Sequence, residues 1–259
     1  MSSPLAIQVG NLARRSIVRT LRQPAMVVPS LVFPLLLLAV NASGLNSATR
    51  LPGFPTDSYL TFALAIAFVQ GALFAAMSAG NNMADDVETG FLSRLSLTPL
   101  RRLALLMGQL AGVMALGLIQ ALIFLLVGWI AGADFATGVG GALLIVVLVL
   151  LTSLAFGGLG AFLALRTGSG EAVQGMFPLM FASLFLSSQA LPRELIQIDW
   201  FRTVATYNPV SYLLEGVRAL MIKGWEAQAL ELAFGCAAAI AVVTLTASAL
   251  ALKVRMVRT

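Results

Sequence analysis

Few side chains in this sequence are of the types that carry out catalysis. The 259 residues include no histidine and a single cysteine, Cys236. Ser-His and Cys-His catalysis, histidine-based zinc sites and histidine proton relays are therefore excluded. The sequence also lacks the GxxxxGK[ST] phosphate loop, so we expect no ATP hydrolysis through that motif and no metal or cofactor bound by the chain itself.

The most concentrated charges lie in one segment, DDVETGFLSRLSLTPLRR at 85–102. Asp85, Asp86 and Glu88 open it, where acidic residues favour the start of a helix, and Arg94 lies where the helix would end. Thr98-Pro99 would stop the helix, because proline clashes with the preceding turn and lacks a donor. The pattern indicates a charged binding surface more than a reactive site.

An apolar stripe runs through the same segment. Its members recur every four residues: Met83, Val87, Phe91 and Leu95. This period predicts one amphipathic helix over 83–98 that lies crosswise between two apolar runs and docks on another protein. A solvated loop that only connects the runs is an equally weighted alternative.

The rest of the chain consists mainly of apolar runs that are long enough to cross a membrane. The chain is 59% hydrophobic and 10% charged. A spanning helix needs about 20 mostly apolar residues. Six runs meet this condition: 26–44, 59–80, 103–131, 139–165, 172–191 and 228–252. We therefore predict an all-α polytopic membrane protein with six transmembrane helices.

The basic residues predict the orientation of these helices. With the N-terminus inside, eleven of the sixteen Lys and Arg residues fall in inner segments. The positive-inside rule then places both termini in the cytoplasm. Nucleic-acid binding is a poorer explanation of the basic excess, because the cations lie at the edges of apolar runs and not in one patch. Cleavage of a signal peptide after AVNASG is disfavoured, because the preceding n-region is unusually long.

The first 25 residues predict an amphipathic helix that lies in the inner membrane interface. Its apolar residues recur every three or four positions, and its arginines occupy other faces. The apolar residues are Leu5, Val9, Leu12, Ala13, Ile17 and Leu21, and the arginines are Arg14, Arg15, Arg19 and Arg22. A disordered basic tail that merely sets the topology is the alternative.

The connection between the fifth and sixth runs is too apolar for a simple loop. Asn208-Pro209 predicts a helix start, with Tyr207 just before it. Beyond it, Glu215 and Arg218 are spaced to pair on one helix. We expect two short outer helices that re-enter the membrane, with a plain surface helix as the alternative.

Polar side chains inside the apolar runs are candidates for lining a transport pathway. The four amides concerned are Gln70, Gln109, Gln120 and Gln174. Hydrogen bonding between neighbouring helices is the more frequent role of any single amide. No carboxylate lies deep in a run, which argues against proton or sodium coupling.

The string from Glu88 to Pro99, ETGFLSRLSLTP, resembles the E-x-G-x-L-x-x-L-x-x-[ST]-P motif of the ATP-binding-cassette type-2 permeases, which include daunorubicin-resistance exporters. The six runs, the basic N-terminal helix and YNPVSYLLEGVRALM at 207–221 extend the resemblance over essentially the whole chain. Ser93 departs from the acidic residue that many members carry there.

The resemblance implies that 83–98 is a coupling helix, which sits in a groove of a separate ATPase subunit. The implied contact residues are Asp85, Asp86, Glu88, Gly90, Phe91, Arg94, Leu95 and Pro99. It also implies an outer gate, formed by Tyr207, Asn208, Pro209, Glu215 and Arg218. ATP and Mg would then bind the partner ATPase and not this chain.

These features together predict one permease domain over 1–259, with an interfacial helix at 1–25, a bundle at 26–252 and a cytoplasmic tail at 253–259. We expect two ATPase subunits and a second permease chain, identical or paralogous, in a bacterial-type inner membrane, and no nucleic-acid partner. The expected function is outward movement of amphiphilic drugs, lipids or lipid-linked natural products. The alternatives are a proton-coupled secondary transporter, an intramembrane enzyme and a non-transporting structural subunit.

Overall fold

The computed structural model describes residues 5–96 and 102–258, and within them the chain forms ten α-helices and no β-strand. The helices are α1 Leu5–Leu21, α2 Pro24–Gly44, α3 Tyr59–Glu88, α4 Phe91–Ser96, α5 Arg102–Ile130, α6 Gly138–Thr167, α7 Gly170–Phe185, α8 Asp199–Tyr207, α9 Pro209–Arg218 and α10 Ala227–Arg258. Short 3₁₀ turns cover Asn46–Arg50 and Arg193–Leu195, and a π-helical turn covers Ala219–Lys223. The predicted all-α class is confirmed.

Five of the described helices are long and apolar enough to cross a membrane, and the protein is therefore a multi-pass membrane protein. They are α2, α3, α5, α6 and α10. They coincide with five of the predicted runs, and α3 and α10 extend beyond the predicted ends.

The fifth predicted span, 172–191, is shorter than expected. It corresponds to α7, whose 16 residues end at Phe185. Such a helix is about 24 Å long, against a hydrocarbon core of about 30 Å. The helix stops early because the chain turns toward α9, where the backbone N–H of Ser188 donates to Ser211 Oγ at 3.1 Å.

The prediction of a single helix over 83–98 is also wrong. Residues Met83 to Glu88 complete α3, and α4 begins only at Phe91. Gly90 between them has a φ of +67°, a left-handed conformation that ends a helix and favours glycine. Met83 therefore belongs to α3, where its side chain is buried. The predicted stop at Thr98-Pro99 lies outside the described residues.

Helix α3 lies at the centre of the bundle and is buried along most of its length. Ser58 caps its start, where Oγ accepts from the backbone N–H of Thr61 at 3.3 Å. One apolar cluster surrounds its first half and includes Phe62, Phe68 and Phe124. A second cluster surrounds its last turns and includes Met83, Leu92 and Leu110. The two ends of α3 therefore belong to different apolar clusters, and charged side chains lie beside each cluster.

Helix α1 is amphipathic as predicted, but polar side chains dominate its most buried positions. Gln8, Ser16 and Thr20 are buried, whereas Val18 and Leu21 are exposed. The buried face packs closely on α5, because a Cβ atom at Gly112 would collide with Ser16 and Thr20. The exposed apolar side chains suit the predicted position in the membrane interface.

Candidate functional site

The end of α3 carries a buried carboxylate that two arginines of α1 neutralise. The side chain of Asp86 is 2% exposed. Arg15 donates to both of its oxygens, at 2.7 and 3.1 Å, and Arg19 donates to Oδ1 at 2.7 Å. The amide of Gln109 on α5 donates to Oδ2. Three helices therefore meet at one carboxyl group.

Arg19 extends this contact to neighbouring groups of α3. It forms an ion pair with Asp85 at 2.7 Å and donates to the backbone carbonyl of Asn82 at 3.2 Å. The amide of Asn82 donates in turn to Thr20 of α1 at 3.3 Å. We call Arg15, Arg19, Asp85, Asp86 and Gln109 the inner charge cluster. Its name follows the predicted orientation.

Sequence reasoning did not identify the two arginines of the inner charge cluster. Arg15 and Arg19 are four residues apart, so they share one face of α1. The contact between α1 and Gly112 of α5 then holds that face against α3. The four-residue spacing of the arginines was the available signal, but nothing local links them to Asp86, which is 71 residues from Arg15.

Helix α4 follows directly and presents part of its surface to solvent. The ring of Phe91 is half-buried, with the guanidinium carbon of Arg15 3.8 Å from its centroid. Leu95 is half-buried against the second apolar cluster, and Arg94 is exposed. Glu88, just before α4, accepts from the backbone N–H of Gly170 at 3.3 Å, which connects it to the start of α7.

The predicted docking residues therefore occupy different environments. Glu88 and Arg94 are exposed on the surface, and Asp85 is half-exposed beside Arg19. Asp86 lies inside the protein, where its partners belong to the same chain. Pro99 lies outside the described residues. The arrangement binds and positions helices, and among the described residues no group of His, Cys, Asp and Glu is suited to hold a metal ion.

The opposite end of the bundle contains the predicted gate residues. Asn208 is buried and caps α9, since its Oδ1 accepts from the backbone N–H of Val210 at 2.9 Å and its amide donates to the carbonyl of Ser183 at 2.6 Å. Pro209 follows as the first helical residue. Tyr207 is 80% exposed. The predicted helix start is thus confirmed, and Tyr207 points away from the packed residues.

Arg218 on α9 is 6% exposed and binds the backbone instead of a carboxylate. It donates to the carbonyls of Phe62, Ser188 and Gln189, at 3.2, 2.6 and 2.7 Å. Its guanidinium carbon lies 3.5 Å from the centroid of the Phe62 ring. We call Arg218 with these three carbonyls the outer arginine lock. It joins α9 to the start of α3 and to the segment that follows α7.

The predicted pairing of Glu215 with Arg218 is not observed. Glu215 instead forms an ion pair with Arg193 and accepts from Ser188 Oγ at 3.2 Å. Burial opposes the charge on Arg193, but the bond to Glu215 outweighs burial and raises the pKa of the guanidinium above its usual value. The bond to Glu215 therefore favours the charged form of Arg193. Sequence spacing could not reveal Arg193, because it belongs to a different segment.

The four candidate pathway amides do not form one site. Gln70 and Gln120 are buried, and the side-chain oxygen of each has no hydrogen-bond partner among the described residues. The amide nitrogen of Gln120 donates to the carbonyl of Ser30 at 3.3 Å, which joins α5 to α2. Gln109 belongs to the inner charge cluster, and Gln174 is exposed on α7. At least two of the four therefore join helices.

Comparison with known families yields one match over most of the chain. Residues 7–222 match the family described as ABC-2 type transporter. The matched region includes the inner charge cluster, α4, the re-entrant candidates α8 and α9, and the outer arginine lock.

Individual relatives are distant. The chain is 26% identical over 214 residues to "Putative transport permease ycf38" of Porphyra purpurea, covering 82% of this chain and 72% of the relative. It is 28% identical over 173 residues to "Daunorubicin resistance ABC transporter permease protein DrrB1" of Streptomyces coeruleorubidus, covering 64% of this chain and 59% of the relative. The ycf38 protein of Pyropia yezoensis is 26% identical over 225 residues, covering 85% of this chain and 75% of the relative.

Proposed function

Because the chain belongs to the ABC-2 type transporter family, we propose that it is the membrane half of an ATP-driven exporter of amphiphilic molecules. It is the permease component, and permease domains of this family lack ATPase activity. Membership implies ATPase partner subunits. In our proposal two such subunits bind ATP and Mg and drive a pair of permease chains, identical or paralogous, in a bacterial-type inner membrane with all termini cytoplasmic.

The observation that carries the proposal is the position of α4. This helix follows the central helix α3 after a two-residue turn, exposes Arg94, and lies under Arg15 of α1. A force applied to α4 would reach α3 through the turn, α1 through the inner charge cluster, and α7 through Glu88 and Gly170. We infer that α4 is the coupling helix, shorter than the sequence pattern predicted.

The proposed direction and cargo rest on the distribution of acidic residues and on one relative. The central turns of the five long helices carry no carboxylate within the described ranges, which disfavours a proton-coupled carrier. One relative is named for daunorubicin resistance, and we propose a cargo of the same broad kind: amphiphilic drugs, lipids or lipid-linked natural products.

We also propose that α7 crosses the membrane as a short sixth span and that α8 and α9 re-enter from the outer side. The exposed Leu179 and Phe185 of α7 are suited to lipid or to a second permease chain. An even number of spans agrees with the distribution of basic residues. The buried cap of α9 at Asn208 agrees with a helix start shielded from lipid.

The coupling role can be tested by reversing the exposed charge on α4. We expect Arg94→Glu to reduce drug-stimulated ATP hydrolysis by the purified complex about tenfold, because a misplaced charge at an interface disfavours the contact. Arg202→Glu is the matched control, since Arg202 is exposed at the opposite end of the bundle. Unchanged efflux and unchanged co-purification of an ATPase with the Arg94→Glu chain would refute the coupling assignment.

A further inference from the structure

A cavity of about 450 Å³ lies beside the outer arginine lock. It is bounded by the α2–α3 connection, the segment after α7, helix α9 and the start of α10. This volume falls within the range of about 300–1,000 Å³ that is common for small-molecule sites. The cavity belongs to a single chain and is separate from the inner charge cluster.

The charges around the cavity are unevenly distributed. Arg193 is neutralised by Glu215, and Lys223 at the rim lies 3.2 Å from Glu226. Arg218 also lines the cavity, and no carboxylate of the described residues lies within ion-pair distance of it. The remaining acid, Glu194, is exposed to solvent, where its field is screened.

The lining holds three basic and three acidic side chains, and among the described residues Arg218 is the one cation of this lining without a directly bonded carboxylate. Arg218 has five N–H donors, and backbone carbonyls accept three of its bonds. A guanidinium with free donors and no carboxylate partner is suited to an anionic oxygen, because such bonds are charge-assisted.

The cavity also has apolar lining residues. They include Ile222, Ala229 and Leu232, and Leu232 is 46% exposed at the surface of α10. A lining that combines the guanidinium of Arg218 with apolar side chains matches a molecule with an anionic group on a hydrocarbon chain. A free anion would use only half of this surface.

We propose that this cavity binds the anionic group, phosphate or carboxylate, of an amphiphile, with Arg218 beside the anion and Leu232 beside the hydrocarbon chain. The inference rests on the proposed function in treating this amphiphile as the exported cargo at the outer end of its path. It narrows the cargo from amphiphiles in general to those that carry a negative group.

Titration calorimetry on the full chain, purified with its ATPase partner in phosphatidylcholine nanodiscs, tests the proposal. Octyl phosphate should bind saturably. Octyl phosphocholine has the same octyl chain, but its phosphate is a diester whose single negative charge is compensated by a cation. It should bind about tenfold more weakly, as should inorganic phosphate. Equal binding of octyl phosphocholine, or no saturable binding of octyl phosphate, would overturn the proposal. Binding of inorganic phosphate as tight as that of octyl phosphate would show a site for free anions and also overturn it.

A blocking variant locates the site. Leu232→Trp places a larger side chain in the apolar part of the cavity and should weaken octyl phosphate binding about tenfold. Val242→Trp is the control and should bind like the parent chain, because Val242 is exposed on the same helix but does not line the cavity. Equal affinity of the two variants would contradict the location. The titration needs no ATP hydrolysis, so a failure of coupling in Arg94→Glu and a failure of binding here are distinguishable.

Discussion

A buried charged side chain lies at each end of α3, and the two are stabilised by different kinds of partner. At the inner end, Asp86 is bound by side chains of α1 and α5. At the outer end, Arg218 is bound by three backbone carbonyls and an aromatic ring. The inner contact joins side chains of separate helices, whereas the outer contact joins a side chain to the backbone of other segments.

This difference has a mechanical consequence. Side-chain ion pairs between helices can break and re-form with other partners while each helix keeps its own hydrogen bonds. The carbonyls of Ser188 and Gln189 lie in the irregular segment after α7 and have no such alternative, so opening the outer arginine lock would leave them unsatisfied. We therefore expect the inner charge cluster to tolerate helix movement and the outer arginine lock to act as a fixed support for α9.

Removal of the outer guanidinium should produce the largest loss of stability. Arg218→Met keeps most of the volume but leaves the carbonyls of Phe62, Ser188 and Gln189 without this donor. We expect the free energy of unfolding to fall by about 3–5 kcal/mol. Thermal unfolding of the purified chain in detergent should show a Tm lower by about 10 °C.

Arg202→Met is the control for that measurement. Arg202 is exposed and pairs with the exposed Asp199 within α8, so its loss should cost less than about 1 kcal/mol. If both variants lower the Tm equally, the outer end is not held by Arg218 and the contrast between the two ends fails.

Neutralising the buried inner carboxylate should have the next largest effect. Asp86→Asn leaves Arg15 and Arg19 facing an uncharged amide, but Arg15 is partly exposed, so water offsets some of the loss. We expect a cost of about 2 kcal/mol in the free energy of unfolding. The Tm should fall, and drug-stimulated ATP hydrolysis should fall with it if α1 moves with α4.

Asp85→Asn separates this effect from a general change in charge. Asp85 is 50% exposed, and its pair with Arg19 should contribute less than about 1 kcal/mol. A double-mutant cycle between Arg19→Gln and Asp86→Asn should show a coupling energy of about 1–2 kcal/mol. Additive effects would mean that the inner charge cluster does not connect α1 to α3.

The sequence allowed prediction of the parts of this structure that depend on local periodicity. Apolar length identified the five long helices, and Asn208-Pro209 identified the start of α9. The four-residue stripe over 83–95 was misleading, because the same period continues across a turn at Gly90 that only the backbone conformation reveals.

Contacts between distant segments could not be predicted in this way. The partners of Asp86 and Arg218 lie up to 156 residues away along the chain, and no periodicity relates them. Glu215 was expected to pair with Arg218 from helical spacing, but Arg193 competes for the same carboxylate. Local rules predict which groups share a face of a helix, whereas tertiary packing decides which group faces them.

The packing of α1 on α5 supports the inner charge cluster, and a larger residue on α5 should disrupt it. Gly112→Val would place a side chain against Ser16 and Thr20, so α1 must shift away from α5. We expect a cost of about 1–2 kcal/mol in the free energy of unfolding, measured as a lower Tm. Gly175→Val on α7 is the matched control, since a Cβ atom added there would meet no atom of the described residues within 4 Å. An equal loss in the control would contradict our assignment of this cost to the contact between α1 and α5.

The turn between α3 and α4 should show the smallest effect, and it distinguishes strain from packing. Gly90 has a φ of +67° and open space around it, so Gly90→Ala should cost about 1 kcal/mol through backbone conformation alone. Gly175→Ala, in the interior of α7, should instead stabilise the protein by up to about 1 kcal/mol, because alanine favours a helix. Opposite signs in the two Tm values would support a turn at Gly90. If Gly90→Ala also raises the Tm, α3 and α4 form one continuous helix, and the inner end would be as rigid as the outer end.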